Sequence, residues 1–184
     1  KLWDDYHDNC PFESVPDEPS AGGKANTDFF DSPERRREKL AGYYAAVEGM
    51  DANVGRLLDA LEAQGLRDST LVVFMSDNGM NMGHHGICGK GNGTWPQNMF
   101  DTSVKIPALI SQPGRIAEGV VDENLLSQYD WLPTALDYLG VDAPPPAGLP
   151  GRSFAPLLRG EAFDQGDEVV VFDEYGPVRM IRTH

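Results

Sequence analysis

The stretch TLVVFMSDNG, Thr70–Gly79, decides the fold class of this 184-residue chain. Its first six residues form a continuous β-branched and apolar run, which is typical of a strand buried on both faces of a largely parallel sheet. The run ends abruptly at Ser76. The tetrapeptide SDNG is therefore predicted at the carboxyl end of a central strand, which is the edge where open α/β sheets bind their ligands.

A long amphipathic helix is predicted immediately before this strand. Ser32 is a suitable N-cap, Pro33 fits the first helical position, and Gly65 is a good stop. Between them, apolar residues recur at steps of three and four, which predicts about nine turns with one buried face. These residues are Leu40, Tyr43, Tyr44, Val47, Met50, Val54, Leu57, Leu58 and Leu61. A helix followed by a buried strand indicates a layered α/β architecture.

The remaining sequence predicts more elements of the same two kinds, with a proline-rich loop at Asp142–Gly151. Strands are expected at Ile106–Ser111, Glu168–Tyr175 and Val178–His184, and helices at Gln128–Gly140 and Ser153–Gly160. Residues 1–31 are rich in Pro, Asp, Glu, Ser and Gly and lack apolar periodicity, so they are interpreted as an extended surface segment. Neither end carries a terminating turn or cap, and we therefore expect the chain to be part of a longer protein.

Composition disfavours several classes of partner. The chain has 29 acidic and 15 basic residues, a net charge of -14, whereas nucleic acids and anionic membrane surfaces attract positive charge. No apolar run approaches the roughly 20 residues that span a bilayer, and the first residues lack the zones of a signal peptide. Cys10 and Cys88 are too few for a disulfide framework and leave the compartment open. We expect neither a nucleic-acid partner nor a membrane.

The strand end and the glycine-rich loop after it combine ion-binding side chains in SDNGMNMGHHGICGKG, Ser76–Gly91. Asp77 and Asn78 offer the oxygen donors that Ca²⁺ and Mg²⁺ prefer, although Asp-Asn-Gly is also a common turn sequence. Lys90, between two glycines, is either a positive charge held for an anionic group or a solvated surface lysine.

Other residues of this region leave alternatives open as well. His84 and His85 beside Cys88 suggest a zinc site, but the usual spacings of zinc ligands are not met. Farther on, Trp95 either lines a pocket or packs as an ordinary aromatic residue. The Phe100-Asp101 pair then precedes the next predicted strand.

The order of these motifs resembles the type I sulfatases of the alkaline phosphatase-like superfamily, over roughly Pro33 to Arg182. Several motifs carry the resemblance. In chain order they are the long helix, its link GLRDST, the strand end SDNG, and then GHHGICGKG, FDTSVKIPALI, QYDWLPTALDYLG and GRSFAPLLRG. It implies an α/β/α sandwich with a mostly parallel central sheet. Together with the composition of residues 1–31, it divides the chain into three regions. These are a surface segment at 1–31, the C-terminal part of the sulfatase α/β domain at 32–160, and the truncated start of a small antiparallel subdomain at 161–184.

The resemblance implies roles for four residues. Asp77 and Asn78 match two ligands of the family's divalent metal, Ca²⁺, with Mg²⁺ or another divalent cation as the alternative. Lys90 matches the residue that binds the sulfate oxygens and the charge developing on the leaving group, and His85 matches a pocket histidine of varying role. The family nucleophile is a formylglycine made from the cysteine of C-x-P-x-R. Neither cysteine here has that context, so the nucleophile is expected outside this chain.

Three hypotheses of function are open, two from the resemblance and one of another class. The first is that the chain is part of a sulfatase acting on sulfated small molecules or glycans, and is inactive without the missing N-terminal part of the same protein. The second is a phosphonate or phosphate ester hydrolase of the same superfamily. The third is a non-catalytic module that binds carbohydrate or cations. The resemblance favours a periplasmic or secreted location.

Overall fold

The computed structural model of the chain describes residues 1–19, 24–25, 32–143, 147–164, 166, 168–173 and 176–183. The helices are α1 (Leu2–Asn9), α2 (Pro33–Ala63), α3 (Asp101–Val104), α4 (Trp131–Tyr138) and α5 (Ala155–Leu158). The strands are β1 (Lys24–Ala25), β2 (Val72–Met75), β3 (Asn81–Met82), β4 (Cys88–Gly89), β5 (Thr94–Trp95), β6 (Ala108–Ser111), β7 (Glu168–Phe172) and β8 (Arg179–Thr183). The protein is therefore a mixture of helices and sheets.

These elements form two compact units. The first contains Lys1–Arg67, Phe74–Leu109 and Phe172–Val178, and the second contains Asp68–Val73, Ile110–Val171 and Arg179–His184, as far as these ranges are described. β1 pairs antiparallel with β5, and β3 pairs antiparallel with β4. β2 pairs with β6, and β7 pairs with β8. The division into regions at residues 31 and 160 remains a prediction.

The long helix begins and ends where the sequence predicts. Ser32 caps it, because its side chain accepts a hydrogen bond from the N–H of Arg35 at 3.2 Å, and Pro33 takes the first position. The helix ends at Ala63, and Gly65 follows with a φ of 66°. This backbone conformation is accessible to glycine without steric cost, so the predicted stop residue ends the helix.

The core of the first unit lies beneath the start of α2. Its buried residues are Phe12, Val15, Leu40, Ala41 and Met82, with Tyr6, Cys10, Tyr44 and Met80 partly buried against them. The ring of Tyr44 lies 5.7 Å between centroids from the rings of both Tyr6 and Phe12. Apolar contacts therefore join α2 both to the amino-terminal residues and to β3.

The second half of α2 departs from the prediction of one continuous buried face. Val47, Met50 and Leu57 occupy predicted apolar positions, yet all three are exposed, and Leu57 is 67% exposed. The helical spacing is correct, but these three positions are open to solvent in the described part of the chain, whereas Val54, Leu58 and Leu61 are half-buried. Neither α2 nor any other described helix is both long and apolar enough to cross a membrane.

The interpretation of residues 1–31 as extended is wrong for Leu2–Asn9, which form α1. This helix has no side-chain cap at its start and buries none of its residues, although Asp4 and Asp5 in its first turn and His7 in its last turn suit the helix dipole. Contacts with α2 hold it instead, including the one between Tyr6 and Tyr44. Residues 20–23 and 26–31, which the same interpretation covered, lie outside the described residues.

The strand in TLVVFM is shorter and less buried than predicted. β2 has four residues, Val72–Met75, and all four are half-buried. Its partner β6 lies within the predicted strand Ile106–Ser111, but three of its four residues are exposed. The expectation of a strand covered on both faces is therefore wrong for the described residues, in which β2 and β6 form a two-stranded sheet.

The carboxyl-terminal elements lie where they were predicted. A 3₁₀ turn at Gln128–Asp130 and α4 cover the predicted helix at Gln128–Gly140, and α5 lies within Ser153–Gly160. β7 and β8 form the expected strand pair. The predicted end of the first of these strands, Tyr175, lies outside the described residues.

Buried polar groups fix the second unit. The carboxylate of Asp130 accepts hydrogen bonds from the N–H groups of Ser127 at 2.7 Å and Arg152 at 2.9 Å. The hydroxyl of Thr134 donates to the carbonyl of Asp130 at 2.6 Å and accepts from the N–H of Phe154 at 2.9 Å. These bonds join the start of α4 to the segment before α5 and satisfy groups that would otherwise be buried without partners.

Candidate active site

Three of the four predicted site residues lie together at the carboxyl end of β2. Asp77 and Asn78 follow that strand directly, and Lys90 donates a hydrogen bond from Nζ to Oδ1 of Asn78 at 3.1 Å. Asp77 and Lys90 are exposed, and Asn78 is half-buried. The group therefore combines a carboxylate, an amide oxygen and an ammonium group on an accessible surface of the first unit.

The hairpin of β3 and β4 returns the chain to the strand end. Asn81 opposes Gly89 and Met82 opposes Cys88 in antiparallel register. Lys90 follows β4 directly. The pairing of Asn81 with Gly89 therefore sets the point from which the lysine side chain departs.

The glycine of SDNG is required by a close approach of two backbone segments. The N–H of Gly79 donates to the carbonyl of Ser103 in α3 at 3.0 Å. A Cβ added to Gly79 would lie 2.2 Å from the carbonyl oxygen of Thr102, which leaves no room for a side chain. Asn78 lies against this junction, because its Nδ2 donates to the carbonyl of Gly79 at 2.9 Å.

His85 is held separately, in the turn between β3 and β4. Its ring stacks on Phe100 with 3.9 Å between centroids. Its backbone N–H donates to the carboxylate of Glu18 at 2.7 Å, and its Nδ1 lies 3.6 Å from the same carboxylate oxygen. Among the described residues, His85 makes no direct hydrogen bond with Asn78 or Lys90.

His84 and Cys88 have structural surroundings. Nδ1 of His84 accepts a hydrogen bond from the N–H of Met82 at 3.3 Å. Cys88 is 1% exposed, and burial raises the pKa of its thiol to about 12. The described residues contain no group of three or more His, Cys, Asp or Glu side chains that could hold a metal.

We expect Cys88 to resist alkylation in the native protein. A thiol with a pKa of about 12 carries very little thiolate at mildly alkaline pH, and the thiolate is the species that reacts with iodoacetamide. Native protein should therefore be labelled faster on the half-buried Cys10, and guanidinium-denatured protein on both cysteines, as counted by mass spectrometry. Equal labelling rates in the native state would contradict the buried position of Cys88.

Sequence reasoning missed the polar residues that surround Lys90. Asn81 is fully buried and Ser103 is 5% exposed, while Asn98 is half-buried. Asn81 stands between Met80 and Met82, and these two apolar neighbours are the local signal that marks it. Glu18, the partner of His85, has no such signal because it lies 67 residues away in the sequence.

The chain is similar to several sulfatases and to a phosphonate monoester hydrolase. The model of the sulfatase family matches residues 7–141. An endo-4-O-sulfatase of Bacteroides thetaiotaomicron is 35% identical over 136 residues, which are 74% of this chain and 25% of that protein. The chain spans about a quarter of the length of the curated relatives it matches.

Two solved structures give the same result for the fold. A protein solved in complex with its substrate D-glucosamine-2-N,6-O-disulfate has a TM-score of 0.70 and 29% identity, over 81% of this chain and 31% of that one. A phosphonate monoester hydrolase from Silicibacter pomeroyi has a TM-score of 0.66 and 29% identity, over 77% of this chain and 27% of that one. These similarities confirm the predicted alkaline phosphatase-like α/β fold class.

Proposed function

Since the chain belongs to the sulfatase family, we propose that it is part of a sulfuric ester hydrolase in which Asp77, Asn78 and Lys90 form one side of the ester-binding site. The observation that carries this proposal is the 3.1 Å hydrogen bond from Lys90 to Asn78. An ammonium group next to hard oxygen donors suits an anion that is bound against a cation.

We propose that Asp77 and Asn78 supply two ligands to a divalent cation, with Ca²⁺ favoured over Mg²⁺ or another ion. Their oxygens are hard donors, and Oδ1 of Asn78 has two lone pairs, so its bond with Lys90 leaves one lone pair free. Ca²⁺ takes about six to eight oxygen ligands, so the remaining ligands are proposed to come from elsewhere in the full-length protein. A bound cation would polarise the ester oxygens and neutralise charge on them.

Lys90 and His85 are the groups proposed to act on the ester itself. The ammonium of Lys90 offers three donors, and its charge opposes the negative charge that grows on the leaving oxygen as the ester bond breaks. His85, oriented by Phe100 and Glu18, is proposed to deliver a proton to that oxygen. In the intact ester this oxygen carries no charge, so both groups act most strongly as the bond breaks.

The nucleophile is proposed to lie in another part of the same protein. Cys10 is followed directly by Pro11, and Cys88 is followed by Gly89, so neither begins a C-x-P-x-R motif. A formylglycine upstream is therefore proposed, and this chain supplies the lysine and two metal ligands.

A sulfated glycan is the favoured substrate, with a sulfated small molecule as the alternative. Two similar proteins support the glycan: one is an endo-4-O-sulfatase, and the other was solved with a disulfated glucosamine as its substrate. A periplasmic or secreted location remains a prediction from the family resemblance.

Hydrolysis of phosphonate esters is the second candidate function. One of the similar solved structures is a phosphonate monoester hydrolase. Sulfate and phosphonate esters both present tetrahedral groups with anionic oxygens, which an ammonium group and a cation bind in the same way. The donor set of this chain does not discriminate between them.

We expect the full-length protein to hydrolyse an aryl sulfate with a higher kcat/KM than an aryl phosphate or an aryl phosphonate. This 184-residue chain alone is expected to give no turnover, because the proposed formylglycine lies outside it. Initial rates measured with released phenol, before and after removal of Ca²⁺ with a chelator, test both expectations. Turnover should be lost on chelation and return when Ca²⁺ is added.

The same assay separates the candidates. A higher kcat/KM for the phosphonate would favour the second candidate. Turnover by the isolated chain would contradict a nucleophile outside it. A full-length protein that lacks C-x-P-x-R and is inactive on all three esters would instead support a non-catalytic carbohydrate- or cation-binding module.

A further inference from the structure

We propose that Asn81, Asn98 and Ser103 form a positioning network that fixes Lys90 relative to Asn78. The inference rests on the proposed function, because it assumes that Lys90 binds the ester. It adds residues that do not touch the ester themselves and act through the lysine.

The backbone on each side of Lys90 is held by an asparagine. Asn81 donates from Nδ2 to the carbonyl of Gly89 at 3.2 Å. Asn98 donates to the carbonyl of Gly91 twice, from Nδ2 at 3.2 Å and from its backbone N–H at 3.3 Å. The residues before and after the lysine are therefore both fixed, and its Cα has little freedom to move.

Ser103 links the two asparagines to each other and to the strand end. Its hydroxyl accepts from Nδ2 of Asn81 at 2.6 Å and donates to Oδ1 of Asn98 at 2.6 Å. Its backbone carbonyl accepts from the N–H of Gly79 at 3.0 Å. One residue therefore connects both flanks of the lysine with the segment that carries the proposed metal ligands.

The network is a chain of hydrogen bonds that all run in one direction. The hydroxyl of Thr102 donates to Asn81, which donates to Ser103, which donates to Asn98, which donates to the carbonyl of Gly91. Bonds aligned in this way polarise one another, and they are stronger in a buried setting than in water. Asn81 and Ser103 are buried, so the central hydrogen bonds of this series are shielded from water and rigid.

A fixed starting point matters because the lysine side chain is long and flexible. Lys90 is exposed, and the rotamer entropy of its four-carbon side chain opposes any single conformation. A fixed Cα reduces the conformations that Nζ can sample, and so favours those that reach Asn78. A displacement of about 1 Å between catalytic groups can cost about 100-fold in rate.

The test is a double-mutant cycle in the full-length protein with Ser103→Ala and Lys90→Met. Ser103→Ala removes the hydroxyl that orients the side chains of Asn81 and Asn98, so their bonds to the carbonyls of Gly89 and Gly91 are weakened. The backbone bond of Ser103 to Gly79 remains, and the variant is expected to fold. We expect kcat/KM for the aryl sulfate to fall by about 10- to 100-fold, as for other residues that orient a catalytic group. In the Lys90→Met background, Ser103→Ala should have no further effect.

If the two fold-losses in kcat/KM multiply in the double variant, the proposal is overturned, because Ser103 would then act on the fold and not through Lys90. Thr134→Val is the matched control, since it removes a buried hydroxyl from the second unit. We expect it to lower Tm and to leave kcat/KM unchanged.

A measurement without turnover separates this proposal from the proposed function. Acetic anhydride modifies lysines at a rate set by their surroundings, and Lys39 on α2 serves as the internal reference. We expect Ser103→Ala to increase the acetylation of Lys90 relative to Lys39, as read by mass spectrometry. An unchanged ratio would overturn the network. If Lys90→Met kept full activity while the ratio rose, the proposed function would fail and the network would stand.

Discussion

Replacing Lys90 with methionine should lower kcat/KM of the full-length protein for an aryl sulfate by about 100- to 1,000-fold. Methionine keeps an unbranched side chain of similar reach but removes the ammonium group that donates to Asn78. The loss should fall mainly on kcat, because the charge on the leaving oxygen is greatest in the transition state. Initial rates over a range of substrate concentrations give the two constants separately.

Lys39→Met is the control for this experiment, because it removes an exposed lysine from α2. It should leave kcat and KM unchanged. A fall in Lys90→Met confined to KM would assign the lysine to ground-state binding alone. Activity equal to that of the unmodified protein would remove Lys90 from the mechanism.

Leu40→Ala should lower the free energy of unfolding of this chain by about 2–5 kcal/mol. Leu40 is fully buried and packs with Phe12, Val15 and Met82 in the core of the first unit. Truncation removes buried methyl groups and leaves a cavity that the surrounding backbone fills only in part. Urea unfolding followed by circular dichroism measures the change.

Leu57→Ala provides a matched comparison on the same helix, because Leu57 is 67% exposed. We expect it to change the free energy of unfolding by no more than about 0.5 kcal/mol. Equal losses for the two leucines would contradict the described burial of α2, in which Leu40 is buried and Leu57 is exposed.

Local sequence rules predicted the parts of the fold that local interactions determine. Ser32, Pro33 and Gly65 act within one turn of the helix that they begin or end, so residue type alone was sufficient. α1 was missed because its stability comes from α2, through contacts such as Tyr6 with Tyr44. A helix held mainly by tertiary contacts leaves a weak signal in its own sequence.

The burial of β2 was overestimated for a related reason. The run TLVVFM has the composition of a strand with two covered faces, whereas the described residues give β2 one partner strand. The amino-acid composition of a segment indicates the environment that suits it, here a strand with both faces covered. In the described residues, β2 has fewer neighbouring elements than this composition suits.

The sequence predicted those parts of the site that lie in short motifs of recognisable order along the chain. The contact between Asn78 and Lys90 joins two residues that the sequence had singled out, 12 positions apart. Their roles in chemistry remain predictions. The bond of Asn81 to Ser103 spans 22 positions, and no periodicity connects the two residues. Such a partnership depends on the packing of α3 against the hairpin, which sequence spacing does not encode.

The shared oxygen of Asn78 has a thermodynamic consequence. In the proposed site it faces both the ammonium of Lys90 and a divalent cation, and two positive charges this close repel each other. An anionic ester bound between them would relieve that repulsion. Ester and cation should therefore bind cooperatively, and linkage requires that each raises the affinity for the other by the same factor.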